Sequence, residues 1–389
     1  MKFNFDEIIE RRNTNSVKYS MEAFGKQPEL IPLWVADMDF KTAPCIIDAV
    51  QKRNDHGIFG YSVADDKYKE TLSRWFATRH DWNIENDWLV LAPGVVTAIY
   101  TAVRAFTNPG DAVIINQPVY GPFVSSVEQS GRKLVVCELT YDNGIYTIDY
   151  NDFEEKVKQE NVKMFILCNP HNPVGRVWTE EELDNLGKIC VKHGVLVVSD
   201  EIHQDFIYDG HKHFVFANIN PDFADITITC TAPTKTFNIA GLSISNIFIA
   251  NKELRETFTR EYSKAGLSPI GIMGITACQA AYSDGSDWLD QLKKYLAGNI
   301  AYIDSFLKDR IPSVKCVDTE GTFLVWLDFK ELGLSDDKLD ELISNKARLW
   351  LNIGVSFGAG GSGFMRLNAG CTRSTLEIAM ERLETAILR

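Results

Sequence analysis

Between about residues 88 and 250 the chain alternates short apolar runs with segments of helical periodicity. The runs are Trp88–Ala92, Ala112–Asn116, Leu134–Cys137, Met164–Cys168, Val195–Ser199, Ile226–Cys230 and Ile244–Ile249. Helices are predicted at Val95–Phe106, Tyr120–Ser130 and Glu180–His193, among others. Apolar runs bounded by turn signals and separated by helices predict an α/β fold, with a mainly parallel sheet covered on both faces. After Lys252 the pattern changes. Helical stretches over 252–265, 270–283 and 287–309 lead to strand-like Thr322–Asp328, a helix near 335–346, a Gly-rich loop, a strand at Phe364–Asn368 and a terminal helix from Thr372. This order predicts a second, smaller α+β domain, with 287–309 as the connector.

With 389 residues, 45% of them hydrophobic and 24% charged, two domains are expected. A net charge of −13 argues against nucleic acid and anionic membrane surfaces as partners. The first ten residues, Met1–Glu10, carry acids where a secretory signal needs a basic and then an apolar stretch. No apolar run approaches the about 20 residues that span a bilayer. Eight scattered cysteines without a C-x-x-C pair read as reduced and mostly buried, which fits a cytoplasmic protein.

Candidate chemistry sits at the ends of the apolar runs, where open α/β sheets gather ligands. Lys235 follows the run ending at Cys230, Asp200 follows the run ending at Ser199, and the loop Asn169-Pro-His-Asn-Pro173 follows the run ending at Cys168. Those three groups match pyridoxal phosphate (PLP). A lysine forms a Schiff base with its aldehyde, a carboxylate supports its ring nitrogen, and an Asn amide can bind its ring oxygen. Each has a plainer reading: a surface lysine, a helix N-cap at Asp200 and ordinary turn chemistry at the asparagines. A cation beside Asp200 is expected to keep it ionised. On residue types alone, Asn169 and Asn172 are equal candidates for the ring contact.

Around them, Gly94, Val95 and Val96 run from a strand into a helix whose free amides suit a phosphate. Thr231 and Thr234 add hydroxyls. Tyr120 could stack on a cofactor ring or simply fill the core, and Tyr61 is a weaker candidate of the same kind. Arg366, between apolar residues in a strand-like run, needs a partner, and a substrate carboxylate or an internal salt bridge would serve. Gly358–Gly363 fits G-x-G-x-x-G but precedes a strand, so it is read as a decoy. His211 and His213 read as surface residues rather than metal ligands.

Taken in order, these motifs resemble the fold-type-I PLP enzymes, and within them the MalY/PatB-type cystathionine β-lyases. The matching stretches run from Trp34–Phe40 through Tyr61, Tyr120, Asn169–Gly175, Ser199–Asp205 and Lys235–Leu242 to Phe364–Asn368. The resemblance implies a large PLP-binding domain over 45–286 and a small domain built from 1–44 and 287–389. It assigns Lys235 to the Schiff base, Asp200 to the ring nitrogen, Asn172 to the ring oxygen and Tyr120 to the ring face. Gly94, Val95 and Thr234 would lie near the phosphate, Arg366 would hold the substrate carboxylate, and Val35 and Asp37 would adjoin the substrate. His203 stands where aminotransferases usually have tyrosine, and Ser243 where many have a phosphate-binding arginine.

A homodimer with active sites at the interface is also implied, Tyr61 reaching the neighbouring subunit's phosphate. The implied reaction is β-elimination on cystathionine, cysteine or related amino acids, with Lys235 moving the Cα proton and Lys235 or Tyr120 protonating the leaving thiol. Two alternatives stand beside it: an aminotransferase using the same cofactor, and a regulator or binding protein built on this scaffold.

Overall fold

The structure is a computed structural model that describes residues 2–266 and 270–388. Seven strands build the main sheet: β1 (Leu89–Ala92), β2 (Ala112–Gln117), β3 (Lys133–Glu138), β4 (Val162–Cys168), β5 (Leu196–Asp200), β6 (Thr227–Thr231) and β7 (Ser245–Phe248). Their spatial order is β1-β7-β6-β5-β4-β2-β3. Strands β2 to β6 pair in parallel, whereas β7 runs antiparallel to both β6 and β1. Period-two alternation makes both faces apolar. Val113, Ile115, Met164, Ile166 and Val198 join a cluster with helix Val95–Phe106, while Ile114, Phe165, Leu167 and Val197 join one with helices Tyr150–Gln159 and Glu180–His193.

Local signals fix the helix ends. Helix Glu180–His193 opens in a capping box: Thr179 Oγ1 accepts from Glu182 N–H and the Glu182 carboxylate accepts from Thr179 N–H. It closes at Gly194 in the left-handed region, φ 64°. The smaller sheet holds β8 (Lys315–Cys316), β9 (Leu324–Asp328), β10 (Asn352–Ile353) and β11 (Phe364–Asn368), all antiparallel, in the order β8-β9-β11-β10. Helix Ser286–Arg310 links the two layers. Leu289, Leu292 and Leu296 pack with helices of the first part, and Ile303 and Leu307 with the smaller sheet.

The N-terminal segment crosses between them. Ile31–Pro32 pairs in parallel with Leu349–Trp350, and the next helix, Pro44–His56, packs on helix Ile272–Asp284. Residues 33–43 therefore bridge the small sheet and the large one.

Several elements differ from the pattern-based expectation. The helix expected at Tyr120–Ser130 is confined to Pro122–Glu128, because Pro118 and Pro122 delay its start. A hairpin of three-residue strands, Thr140–Asp142 and Ile145–Thr147, and helix Tyr150–Gln159 were not anticipated. Gly358–Gly363 is a turn that feeds β11, with no helix opening from it. All eight cysteines are free and six are buried. Among the described residues, no helix is long and apolar enough to cross a membrane.

Candidate active site

A cavity of about 410 Å³ opens at the C-terminal ends of the parallel strands. Lys235 reaches it from a one-turn helix, Pro233–Thr236, directly after β6. Asp200 is the last residue of β5, and Asn172 lies in the loop after β4. Gly94, Val95 and Val96 form the turn from β1 into helix Val95–Phe106, and Tyr120 follows β2. Arg366 enters from β11 of the smaller sheet, and Trp34, Val35 and Ala36 close the cavity from the N-terminal segment.

The polar geometry is spare. Lys235 Nζ donates to Ala36 O at 2.6 Å. Burial and the Arg366 charge push its ammonium down to about 8, against the pull of Asp37 and Asp200. Asp200 accepts Ile202 N–H at 3.1 Å. Burial raises its carboxyl to about 7, outweighing that hydrogen bond and the Lys235 charge. The Lys235 charge by itself does not offset that desolvation. His203 is 3% exposed and its Nδ1 has no partner among the described residues. Burial, Lys235 and Arg366 drive its imidazolium down to about 3, so the ring is neutral. Burial and the Asp200 charge raise the Tyr120 hydroxyl.

Arg366 is 5% exposed and has no carboxylate partner among the described residues. Its Nη1 donates to Asn172 Oδ1 at 2.9 Å, its Nη2 to Trp34 O at 2.7 Å and Asn352 Oδ1 at 2.6 Å, and its Nε has no partner. A buried guanidinium held by neutral oxygens alone suits an incoming carboxylate.

The cavity gathers most of the residues singled out in the sequence: Lys235, Asp200, Asn172, His203, Tyr120, Gly94, Val95, Val96, Thr234, Val35 and Arg366. Asn169 is not among them; its amide donates to Phe214 O. Three further candidates stand apart. Thr231 turns its hydroxyl to Asn246 O on β7, because strand alternation aims it across the sheet. Asp37 is drawn away by Arg11, whose Nη2 lies 2.7 Å from its Oδ2. Tyr61 is 98% exposed and lies outside the cavity of its own chain.

His213 also departs from expectation, since it is buried with Nε2 2.9 Å from Glu201 Oε2, while His211 is exposed. The sequence reading missed Asn352 and the Ala36 carbonyl. An asparagine within apolar Leu349–Ile353 was a usable signal for the first, whereas a backbone oxygen leaves none.

The family described as aminotransferase class I and II matches residues 28–383. The chain belongs to it. Within this aminotransferase family it is 45% identical to cystathionine beta-lyase PatB of Bacillus subtilis, over 99% of this chain and 100% of that one. It is 33% identical to protein MalY of Escherichia coli, over 99% of each. The crystal structure of cystalysin from Treponema denticola, which contains a pyridoxal 5'-phosphate cofactor, superposes with a TM-score of 0.96 at 40% identity, covering 100% of this chain and 99% of that one.

Proposed function

We propose that this PLP-dependent carbon–sulfur lyase acts on cystathionine, L-cysteine and related S-substituted cysteines. It releases a thiol (homocysteine or hydrogen sulfide) and, with one water taken up after the elimination, pyruvate and ammonia. One observation carries the reading: a lysine with a lowered ammonium pKa shares a single cavity with a buried arginine that lacks a carboxylate partner among the described residues.

The donor set fits the cofactor. The buried carboxyl of Asp200 awaits a cationic or N–H partner, His203 Nδ1 and Arg366 Nε are unsatisfied, and the free amides of Val95 and Val96 begin a twelve-residue helix that suits a phosphate. In that arrangement Lys235 would hold the aldehyde, Asp200 the ring nitrogen, Asn172 the ring oxygen, Tyr120 the ring face, and Gly94, Val95, Val96 and Thr234 the phosphate. When bound, the cofactor supplies an amine-binding aldehyde and a ring that takes up the electron pair left at Cα.

The chain's own groups do the rest. Arg366 binds the substrate carboxylate and fixes which Cα bond faces Lys235. Lys235, poised near neutrality, takes the Cα proton on Nζ and returns a proton to the departing sulfur. Neutral His203 adds no second cation beside Asp200. The apolar walls, Trp34, Val35 and Ile202 among them, exclude water from the proton transfer.

The test is incubation with cystathionine and no keto acid. Pyruvate and homocysteine should appear together. Turnover only when a keto acid is supplied would identify an aminotransferase, and no turnover with either would favour a binding or regulatory role.

We also infer a homodimer. Ile58, Phe59, Tyr61 and Val63 are 65%, 58%, 98% and 81% exposed in one short segment, an apolar patch of the kind that marks an interface. Tyr61 would then serve the partner's phosphate. Sedimentation should give twice the chain's mass, and Val63→Asp should halve it and lower activity; a monomeric, fully active enzyme overturns the inference.

A further inference from the structure

The segment that follows β5 faces two cavities. Asp200 and His203 line the one already described, whereas the next residues, Gln204 and Asp205, line a second cavity of about 370 Å³. This second cavity is mainly polar. Its walls carry Arg79, Lys212 and Lys293 against Asp205 and Asp209, a cationic excess within a chain of net charge −13. Three of the chain's seven histidines, His80, His211 and His213, line it as well.

Its groups are unequally satisfied. Arg79 is tied to Asp290 at 2.7 Å, and Lys212 to Asp81 at 2.9 Å. Asp205 is held by His80 Nε2 at 3.1 Å and by the Thr236 hydroxyl at 2.7 Å. Lys293, half-buried on helix Ser286–Arg310, has neither an ion pair nor a hydrogen bond among the described residues. Gln204 is 2% exposed, and among the described residues both polar atoms of its amide lack a partner, as does Nδ1 of buried His213. Buried polar groups are rarely left so, because each forgoes its hydrogen bond to water. A free cation and an amide with an unused donor and an unused acceptor, lining one cavity, suit an anionic carboxylate carrying a hydroxyl. The volume suits a small organic molecule better than a bare inorganic ion.

We propose that the second cavity binds a small hydroxycarboxylate, with Lys293 on the carboxylate and Gln204 on the hydroxyl, and that this site is linked to Lys235. The link is short. Asp205 accepts from Thr236, the neighbour of Lys235, and Gln204 adjoins His203. A ligand that repositions Gln204 or Asp205 therefore acts on the same few residues that set the lysine. The site needs no partner chain and takes nothing from the reaction chemistry, so its failure would leave the lyase reading untouched.

The test uses the PLP-loaded enzyme titrated with L-lactate in a calorimeter at constant ionic strength, with acetate as the analogue lacking a hydroxyl. Lactate should bind saturably and acetate at least about ten-fold more weakly, as expected where a site hydrogen-bonds a hydroxyl. Lys293→Met keeps the apolar stem of the side chain and should weaken lactate about ten-fold or more by removing the charge. Arg366→Ala, which empties the main cavity of its carboxylate ligand, should leave the lactate isotherm in place. Saturating lactate should also move the pH midpoint of the cofactor absorbance in the wild type but not in Lys293→Met. No saturable lactate binding, equal binding by Lys293→Met, or loss of binding in Arg366→Ala overturns the site; an unmoved midpoint overturns the link.

Discussion

Two sets of buried charges lie side by side at the N-terminal crossing, and they are built in opposite ways. In the first, Lys18 is 0% exposed, with Nζ 2.9 Å from Asp39 Oδ2, while Arg11 reaches Asp39 at 2.6 Å and Asp37 at 2.7 Å. In the second, Lys235 has a single carbonyl, Arg366 has only neutral oxygens, and Asp200 has one amide N–H. The first set is saturated with partners. Burial alone would lower the Arg11 pKa, yet Asp37 and Asp39 raise it. The second is starved, and its lysine and carboxyl are displaced from their ordinary values towards neutrality. Pairing stabilises structure; withholding partners prepares groups for substrate.

Removing a member from each set should therefore give different losses. Lys235→Ala should cut thiol release at least about 10³-fold, the scale of a lost proton-transfer group and nucleophile. A variant keeping a tenth of turnover would break the contrast outright.

Asp39→Ala leaves Lys18 buried beside a weakened network and should lower the unfolding free energy by about 3–5 kcal/mol in chemical denaturation. A loss under about 1 kcal/mol would mean that the first set is no more than a surface-type pairing.

The smallest effect appears in the cofactor-free protein. Asp200 is raised from 3.8 to about 7, so the native state holds the extra proton across that window and loses stability as pH climbs through it. Asp200→Asn cannot ionise. It should match the wild type near pH 4 and exceed it at pH 7, read as a higher Tm. An identical difference at both pH values would mean that burial does not hold that carboxyl proton.

The two sets were not equally legible. Asp200 and Arg366 stood out because each ends or interrupts an apolar run, and Lys235 because it follows one closely; a charge there must have a reason to be buried. The main strands were equally plain, since β2 and β4 are apolar on both faces. Arg11 and Lys18 lie in a polar segment without periodicity, and nothing in their spacing announces that they fold over Asp37 and Asp39. Asp37 was accordingly placed at the substrate when its carboxylate belongs to Arg11. Thr231 failed for a different reason: proximity in sequence to Lys235 says nothing about which face of a strand a hydroxyl takes. His213 looked like a surface residue because its partner, Glu201, is twelve positions away on another turn.

Ala36 and Arg366 line the same cavity as Lys235 yet stand 330 positions apart along the chain. Nascent or clipped polypeptides that contain the lysine but lack either flank have no pocket to offer. Such sequence-distant closure is slow compared with forming helices. Competence to handle a reactive aldehyde should therefore arrive late in maturation, as one of the last properties the polypeptide acquires and among the first that proteolysis at either extremity takes away.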